Sequence, residues 1–210
     1  MLRLQTIVLF TLFGLFCSAQ QTMKYRKISK SQPPFTYEFT TLKNDTTIYE
    51  GWSKTVYKQK VIEQGKYANN ECVGKWQFFS FKGVFEYEFD FDTQTVTKIS
   101  GSSDKPPYKS HPSFFLGSPI IPHLFIVQNV FYPQKAIEKD IKGKVVVALD
   151  INADGKVTAA KVESSTARIL NEEVLKAVRK FPKEWKWVPA TINNKATTDV
   201  YRIVVHFDLD

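Results

Sequence analysis

The stretch DINADG, Asp150 to Gly155, sets oxygen-bearing side chains at alternate positions ahead of a glycine, which is how an EF-hand calcium loop begins. Such a loop closes with a bidentate glutamate at its twelfth position and needs a helix on either side. Here Lys161 stands at the closing position and both flanks alternate as strands do. Asparagine and aspartate tolerate left-handed backbone angles and glycine takes them freely, so the stretch reads as a hairpin turn and not as a metal site. A second candidate is VFEYEFDFD, which puts Glu86, Glu88, Asp90 and Asp92 on one face of a strand and Phe85, Tyr87, Phe89 and Phe91 on the other. Carboxylates two residues apart on a strand lie about 6.5 Å from each other, near the lower limit for an inverting glycosidase pair. That chemistry needs one carboxyl buried to raise its pKa, and an open row of like charges supplies no burial, so the row reads as a solvated face. Cys72 has no histidine near it in sequence and reads as a small buried hydrophobe. His111, His123 and His206 lack metal-ligand spacing, and no nucleophile elbow or phosphate loop occurs. No catalytic residue, metal ligand or cofactor is assigned, and an enzyme is not expected.

The elements around these residues fall into zones. Met1 to Ala19 carries Arg3, then an apolar run from Ile7 to Phe16, then small residues, and is expected to be a signal peptide cut before Gln20. Polar Gln20 and Gln21 end the apolar run too early for the roughly 20 residues of a membrane span, so no stable span is expected after cleavage, and the protein is placed in the periplasm or cell envelope. Removal of Cys17 with the leader leaves Cys72 without an intramolecular disulfide partner. The net charge of +8 is spread over lysines interleaved with acids, as in Lys139-Asp140 and Lys183-Glu184, which excludes a basic nucleic-acid footprint.

Residues 20–100 read as β-rich. Within them Gly65, Gly74 and Gly83 recur at nine-residue spacing with Tyr67, Trp76 and Phe78 after the glycines, and the segment from about 65 to 92 is similar to a MORN-type repeat of stacked hairpins. One clear copy predicts a small irregular sheet. Residues 101–126, rich in Pro, Ser and Gly, read as a linker. From 127 to 210 the pattern is a helix opened by Pro133 and stopped at Gly143, a strand from Lys144 to Ile151, the turn, and a second strand with a bulge between Thr158 and Ala160. A helix capped by Asn171, with Leu170, Val174, Val178 and Phe181 as its buried stripe, and a last strand through Tyr201, Ile203, Val205, Phe207 and Leu209 complete it. The fold class is α+β: an antiparallel hairpin region followed by a helix-strand-strand-helix-strand domain with helices on one face of an antiparallel sheet.

YPQKAIEKDIKGKVVVALDINADGKVTAAKV, LNEEVLKAVRKF and WKWVPATINNKATTDVYRIVVHFDL together resemble the TonB C-terminal domain family over about Phe131 to Leu209. Asn193-Asn194-Lys195 stands where that family usually has Asn-Gly-Lys, and asparagine can take the same turn. The resemblance implies a periplasmic module that grips a short segment of an outer-membrane receptor, or another envelope protein, by adding it as a strand to the sheet edge. It implies partner-binding positions at Val200, Arg202, Val204 and His206, with the Tyr132-Pro133 corner flanking the bound segment; for that corner a plain helix start is an equal reading. The resemblance covers no membrane helix or long proline-rich spacer, which favours an accessory or adaptor role in TonB-dependent transport. Two alternatives are a homodimer closed through the final strand, and an envelope scaffold in which the hairpins bind and the TonB-like domain docks or dimerises.

Overall fold

The computed structural model describes residues 22–28 and 34–208; the expected signal peptide and cleavage point, with Leu209, lie outside them. Seven strands follow one another as an antiparallel meander: β1 (Thr22–Ile28), β2 (Phe35–Leu42), β3 (Tyr49–Tyr57), β4 (Lys60–Ala68), β5 (Glu71–Phe79), β6 (Phe85–Asp90) and β7 (Thr95–Ile99). Two-residue turns with positive φ at Lys58-Gln59 and Asn69-Asn70 link β3 to β4 and β4 to β5, the geometry whose twist matches the flanking strands. Sequence alone predicted a small irregular sheet here; the observed sheet is larger because aromatic side chains from β2 to β6 line one face continuously. Gly65 shows why a glycine is placed there: a Cβ at that position would lie 2.2 Å from the Trp76 ring, which covers it and donates from Nε1 to the Lys66 carbonyl at 3.0 Å.

The second half contains β8 (Phe114–Phe115), α1 (Ile120–Asn129), α2 (Gln134–Glu138), β9 (Gly143–Ile151), β10 (Val157–Ser165), α3 (Arg168–Val178), β11 (Trp187–Val188), β12 (Ala190–Ile192), β13 (Lys195–Thr197) and β14 (Asp199–Phe207). A three-stranded antiparallel sheet runs in the order β10-β9-β14. Its apolar face, Val145, Val147, Leu149, Ile151, Ile203, Val205 and Phe207, is covered by Leu170, Val174, Ala177 and Val178 of α3 and Ile126 of α1. The bulge expected in the second strand occurs between Val157 and Ala159, with another between Val162 and Ser164. One expectation is corrected: α3 starts at Arg168, so Asn171 lies inside its first turn and is not the cap. Ala167 holds the cap position, its N–H satisfied by Ser165 Oγ at 3.1 Å, so the chain turns into the helix earlier than the acidic pair Glu172-Glu173 suggested.

The stretch 101–126 is tied in at several points. His111 bridges to Thr191, and the Asn194 N–H donates to the Lys109 carbonyl at 2.7 Å. β8 pairs with β11, and its two phenylalanines point opposite ways: Phe115 enters the core of the three-stranded sheet beside Trp185 and Trp187, while Phe114 stacks on Tyr87 of β6 at 4.4 Å. α1 spans the same seam, with Ile120 and Leu124 against Tyr57 and Ile62 of the meander and Ile126 in the other core.

Candidate functional site

β14 is an edge strand whose pairing to β9 runs from Asp199 to Phe207 without a register shift. The opposite edge, β10, is bulged twice, which blunts an edge against further pairing. Along β14 the even residues lie away from the core: Arg202, Val204 and His206 are exposed and Val200 is half-buried. Three contacts tell which backbone groups face outward. The Val200 carbonyl accepts from the Arg202 guanidinium at 3.4 Å, the Val200 N–H lies near enough to the Asp199 carboxylate to favour its charged form, and the Val204 backbone lies near enough to the His123 ring to favour the charged imidazole, which points to its carbonyl. In an antiparallel strand N–H and C=O of one residue point the same way and alternate along the chain. Val200, Arg202, Val204 and His206 therefore turn their backbone groups away from β9.

This edge is flanked by elements of the same chain. Ser113 donates to Asp199 Oδ2 from its N–H at 2.8 Å and its hydroxyl at 2.7 Å. Burial would push the Asp199 carboxyl up, but the bonds from Ser113 and Val200 together hold it below its ordinary value. Beside Asp199 to Arg202 a cleft of about 310 Å³ opens, with Glu86 and Tyr87 on its far wall. Further along, α1 lays His123 against Val204; burial lowers that imidazole below its usual value, so it is neutral at neutral pH, and its ring meets Phe81 at 5.1 Å. On the outer sheet face Arg202 forms a two-point pair with Glu163 at 2.8 Å for both contacts, across β9. An exposed pair of this kind contributes little to stability, but it leaves the Arg202 side chain committed.

Tyr132 sits at the far end of the strand. Its ring stands edge-on to Phe207 at 5.4 Å and its hydroxyl donates to the Ile141 carbonyl at 2.6 Å. Pro133 occupies the cap position of α2, and its carbonyl accepts the Ala136 N–H at 2.8 Å. Next to this corner Phe131 is 72% exposed. Sequence reasoning gave Ser113 and His123 no part at this edge, because each reaches β14 from a segment whose docking no local pattern records.

The other residues weighed for chemistry have structural tasks. In the Asp150 to Gly155 turn Asn152 Oδ1 accepts the amides of Asp154 at 3.1 Å and Lys156 at 2.9 Å, and Asp150 pairs with Lys161 at 3.7 Å. Among the described residues no group of three or more His, Cys, Asp or Glu side chains is arranged to hold a metal. The acidic face of β6 is less open than expected. Burial would raise the Glu88 carboxyl, but hydrogen bonds from Gln77 and Thr97 and the Lys75 charge bring it below its ordinary value, while Asp92 accepts the Gly74 amide at 2.9 Å. Cys72 is half-buried, and burial pushes its thiol up to about 11. A shift of that size lowers the thiolate fraction at neutral pH on the order of a hundredfold against an ordinary cysteine. Iodoacetamide labelling at pH 7.4 should therefore be correspondingly slow in the native protein and become fast in urea, a contrast read by intact mass.

Residues 128–209 match the family described as Gram-negative bacterial TonB protein C-terminal, so this part of the chain is a TonB C-terminal domain. Protein TonB of Xanthomonas campestris pv. campestris (strain B100) is 34% identical over 79 residues, which are 38% of this chain and 34% of that protein. Protein TonB of Helicobacter pylori (strain J99) is 46% identical over 57 residues, 25% of this chain and 20% of the relative. The chain thus spans about a third or less of the length of the curated relatives it matches. No helix among the described residues is long and apolar enough to cross a membrane.

Proposed function

We propose that this chain is a cell-envelope protein-binding module, acting without catalysis, whose TonB C-terminal domain (127–210) takes up a segment of an outer-membrane receptor or another envelope protein as an added strand on β14. The observation that supports it best is the edge itself: a nine-residue strand in unbroken register, with the backbone of Val200, Arg202, Val204 and His206 turned outward. Pairing to those groups needs no particular side chain, because a ladder of main-chain bonds supplies the affinity. Tyr132, Pro133 and exposed Phe131 would flank the far end of the bound strand. Inside the chain two of the four outward positions already have partners, so a bound segment must displace the His123 contact to pair at Val204.

The test is a pair of substitutions at Val204. Proline removes an outward N–H and closes that rung, so Val204→Pro should weaken capture of a receptor-derived peptide about tenfold or more, a loss on the order of one to two net hydrogen bonds. Val204→Thr keeps the backbone and should bind within about twofold of the parent, well under the worth of one hydrogen bond. Circular dichroism checks that both are folded. If the edge is closed by a second copy of the chain instead, Val204→Pro should convert a dimer to a monomer in light scattering. Unchanged affinity and unchanged oligomeric state in a folded proline variant would defeat strand addition.

The second reading, a scaffold in which the β-rich region (20–100) binds and the TonB domain docks, draws support from the seam: β8 and α1 place side chains in both cores. Under that reading the Val204 variants behave as the parent and partner binding follows the meander.

A further inference from the structure

The aromatic face of the meander is covered at its centre by Val188, Phe114 and α1, but toward β1 it stays open as a cavity of about 620 Å³. Tyr37, Phe39, Tyr49, Tyr67 and Trp76 form its walls, and Glu63 lies among them. The carboxyl of Glu63 is held at both oxygens: Thr55 Oγ1 donates to Oε1 at 2.9 Å, and the Ser118 N–H approaches Oε2 at 3.4 Å. Among the described residues it has no cationic partner; Lys27 stands at the rim but is not among the charges acting on it. Burial raises its pKa, and the Tyr37 and Tyr67 hydroxyls are near enough to feel its charge.

We infer that this cavity is a binding site for a primary ammonium group, with Glu63 as its counter-ion and the surrounding rings as a cation-binding wall. A carboxylate fixed by two donors keeps lone pairs for further donors, and an ammonium brings three. Aromatic faces attract a cation through their quadrupole, and the attraction grows as water is excluded. A neutral ligand of the same shape would fill the walls but bring no charge to hold the carboxyl ionised, the form that burial disfavours and a cation restores. On the other face of the meander Glu38 is already paired with Lys54 at 2.8 Å. The ammonium could be carried by a lysine side chain of a protein or by a free alkylamine, and the site chemistry is the same for both.

The experiment is a titration of the folded chain followed by chemical-shift changes at Tyr37, Tyr49, Tyr67 and Thr55. The probes are a blocked lysine dipeptide, its Nε-acetylated counterpart, butylammonium and butanol. Lysine peptide and butylammonium should give saturable shifts at these residues. Acetyl-lysine and butanol should bind about tenfold more weakly or not at all, as expected for loss of a charge-assisted bond. Response to the peptide alone assigns the site to a protein-borne lysine, and comparable response to butylammonium assigns it to free amines as well. Glu63→Gln, whose amide spectrum reports its fold, should lose the preference for the charged probes. Equal binding of charged and neutral probes, no saturable shift with either cation, or an undiminished preference in Glu63→Gln overturns the assignment.

Discussion

Tyr87→Ala is expected to lower the stability of the whole chain by about 3–5 kcal/mol, the usual cost of emptying a large aromatic site in a core. Tyr87 is 1% exposed and sits where the two halves meet. Its ring stacks on Phe114 at 4.4 Å and leans on Phe78 at 4.7 Å, its hydroxyl donates to the Phe115 carbonyl, and the Gly117 N–H donates to it at 3.3 Å. Because β8 then enters the other core through Phe115, the loss should be felt on both sides of the seam. Urea denaturation followed by tryptophan fluorescence and by far-ultraviolet dichroism should shift together to a lower midpoint. Tyr87→Phe keeps the ring and removes the hydroxyl; the Gly117 N–H still donates to the Phe115 carbonyl at 2.8 Å, so the loss should be near one net hydrogen bond, about 0.5–1.5 kcal/mol. A loss below about 1 kcal/mol in Tyr87→Ala, far under the cavity cost, would mean the seam contributes little.

The next largest effect is expected at the turn after β9. Gly155 has φ +71°, and a Cβ there would lie 2.0 Å from the Trp187 carbonyl oxygen; the same two residues are joined by the Trp187 N–H to the Gly155 carbonyl at 3.0 Å. Gly155→Ala must therefore bear the left-handed backbone cost and also push β11 off the turn. Gly101 separates the two effects, since it has φ +68° with nothing within 4 Å of an added Cβ. Gly101→Ala should cost about 1–2 kcal/mol, the backbone penalty alone, and Gly155→Ala roughly 2 kcal/mol or more beyond that, as expected for overpacking against a rigid neighbour. Thermal melts of the two variants side by side decide it. Equal losses would show that the contact with Trp187 relaxes freely.

Much of the C-terminal domain was legible in sequence because its signals are local. Alternation in KVVVALDI, the turn at Asn152 to Gly155, the stripe Leu170-Val174-Val178 and the asparagine turn at Asn193-Asn194 each fix a neighbouring geometry. The start of α3 was misread because Asn171 and Glu172-Glu173 imitate a cap, while the group that satisfies the Ala167 amide is Ser165. The extent of the meander was underestimated for a different reason: Trp76 over Gly65 is visible only once β4 and β5 are paired. The flanks of β14 were hidden further still. Pro119 and Pro122 bracket the start of α1 and suggest a linker, yet proline is well tolerated in the first turn of a helix, and nothing near His123 announces that it reaches Val204.

Strand addition makes a specific demand on individual amides of β14. The N–H groups of Tyr201, Ile203 and Val205 face β9, so alternation leaves those of Arg202, Val204 and His206 to the edge, with Val200 held by Asp199. Amide hydrogen exchange of the folded chain, read residue by residue with and without a bound receptor-derived peptide, tests this directly. Slowing confined to the even residues from Arg202 to His206, with the odd residues already slow and unchanged, is the result strand addition predicts. Peptide that binds while these amides exchange as before, with protection appearing on the meander instead, would contradict it.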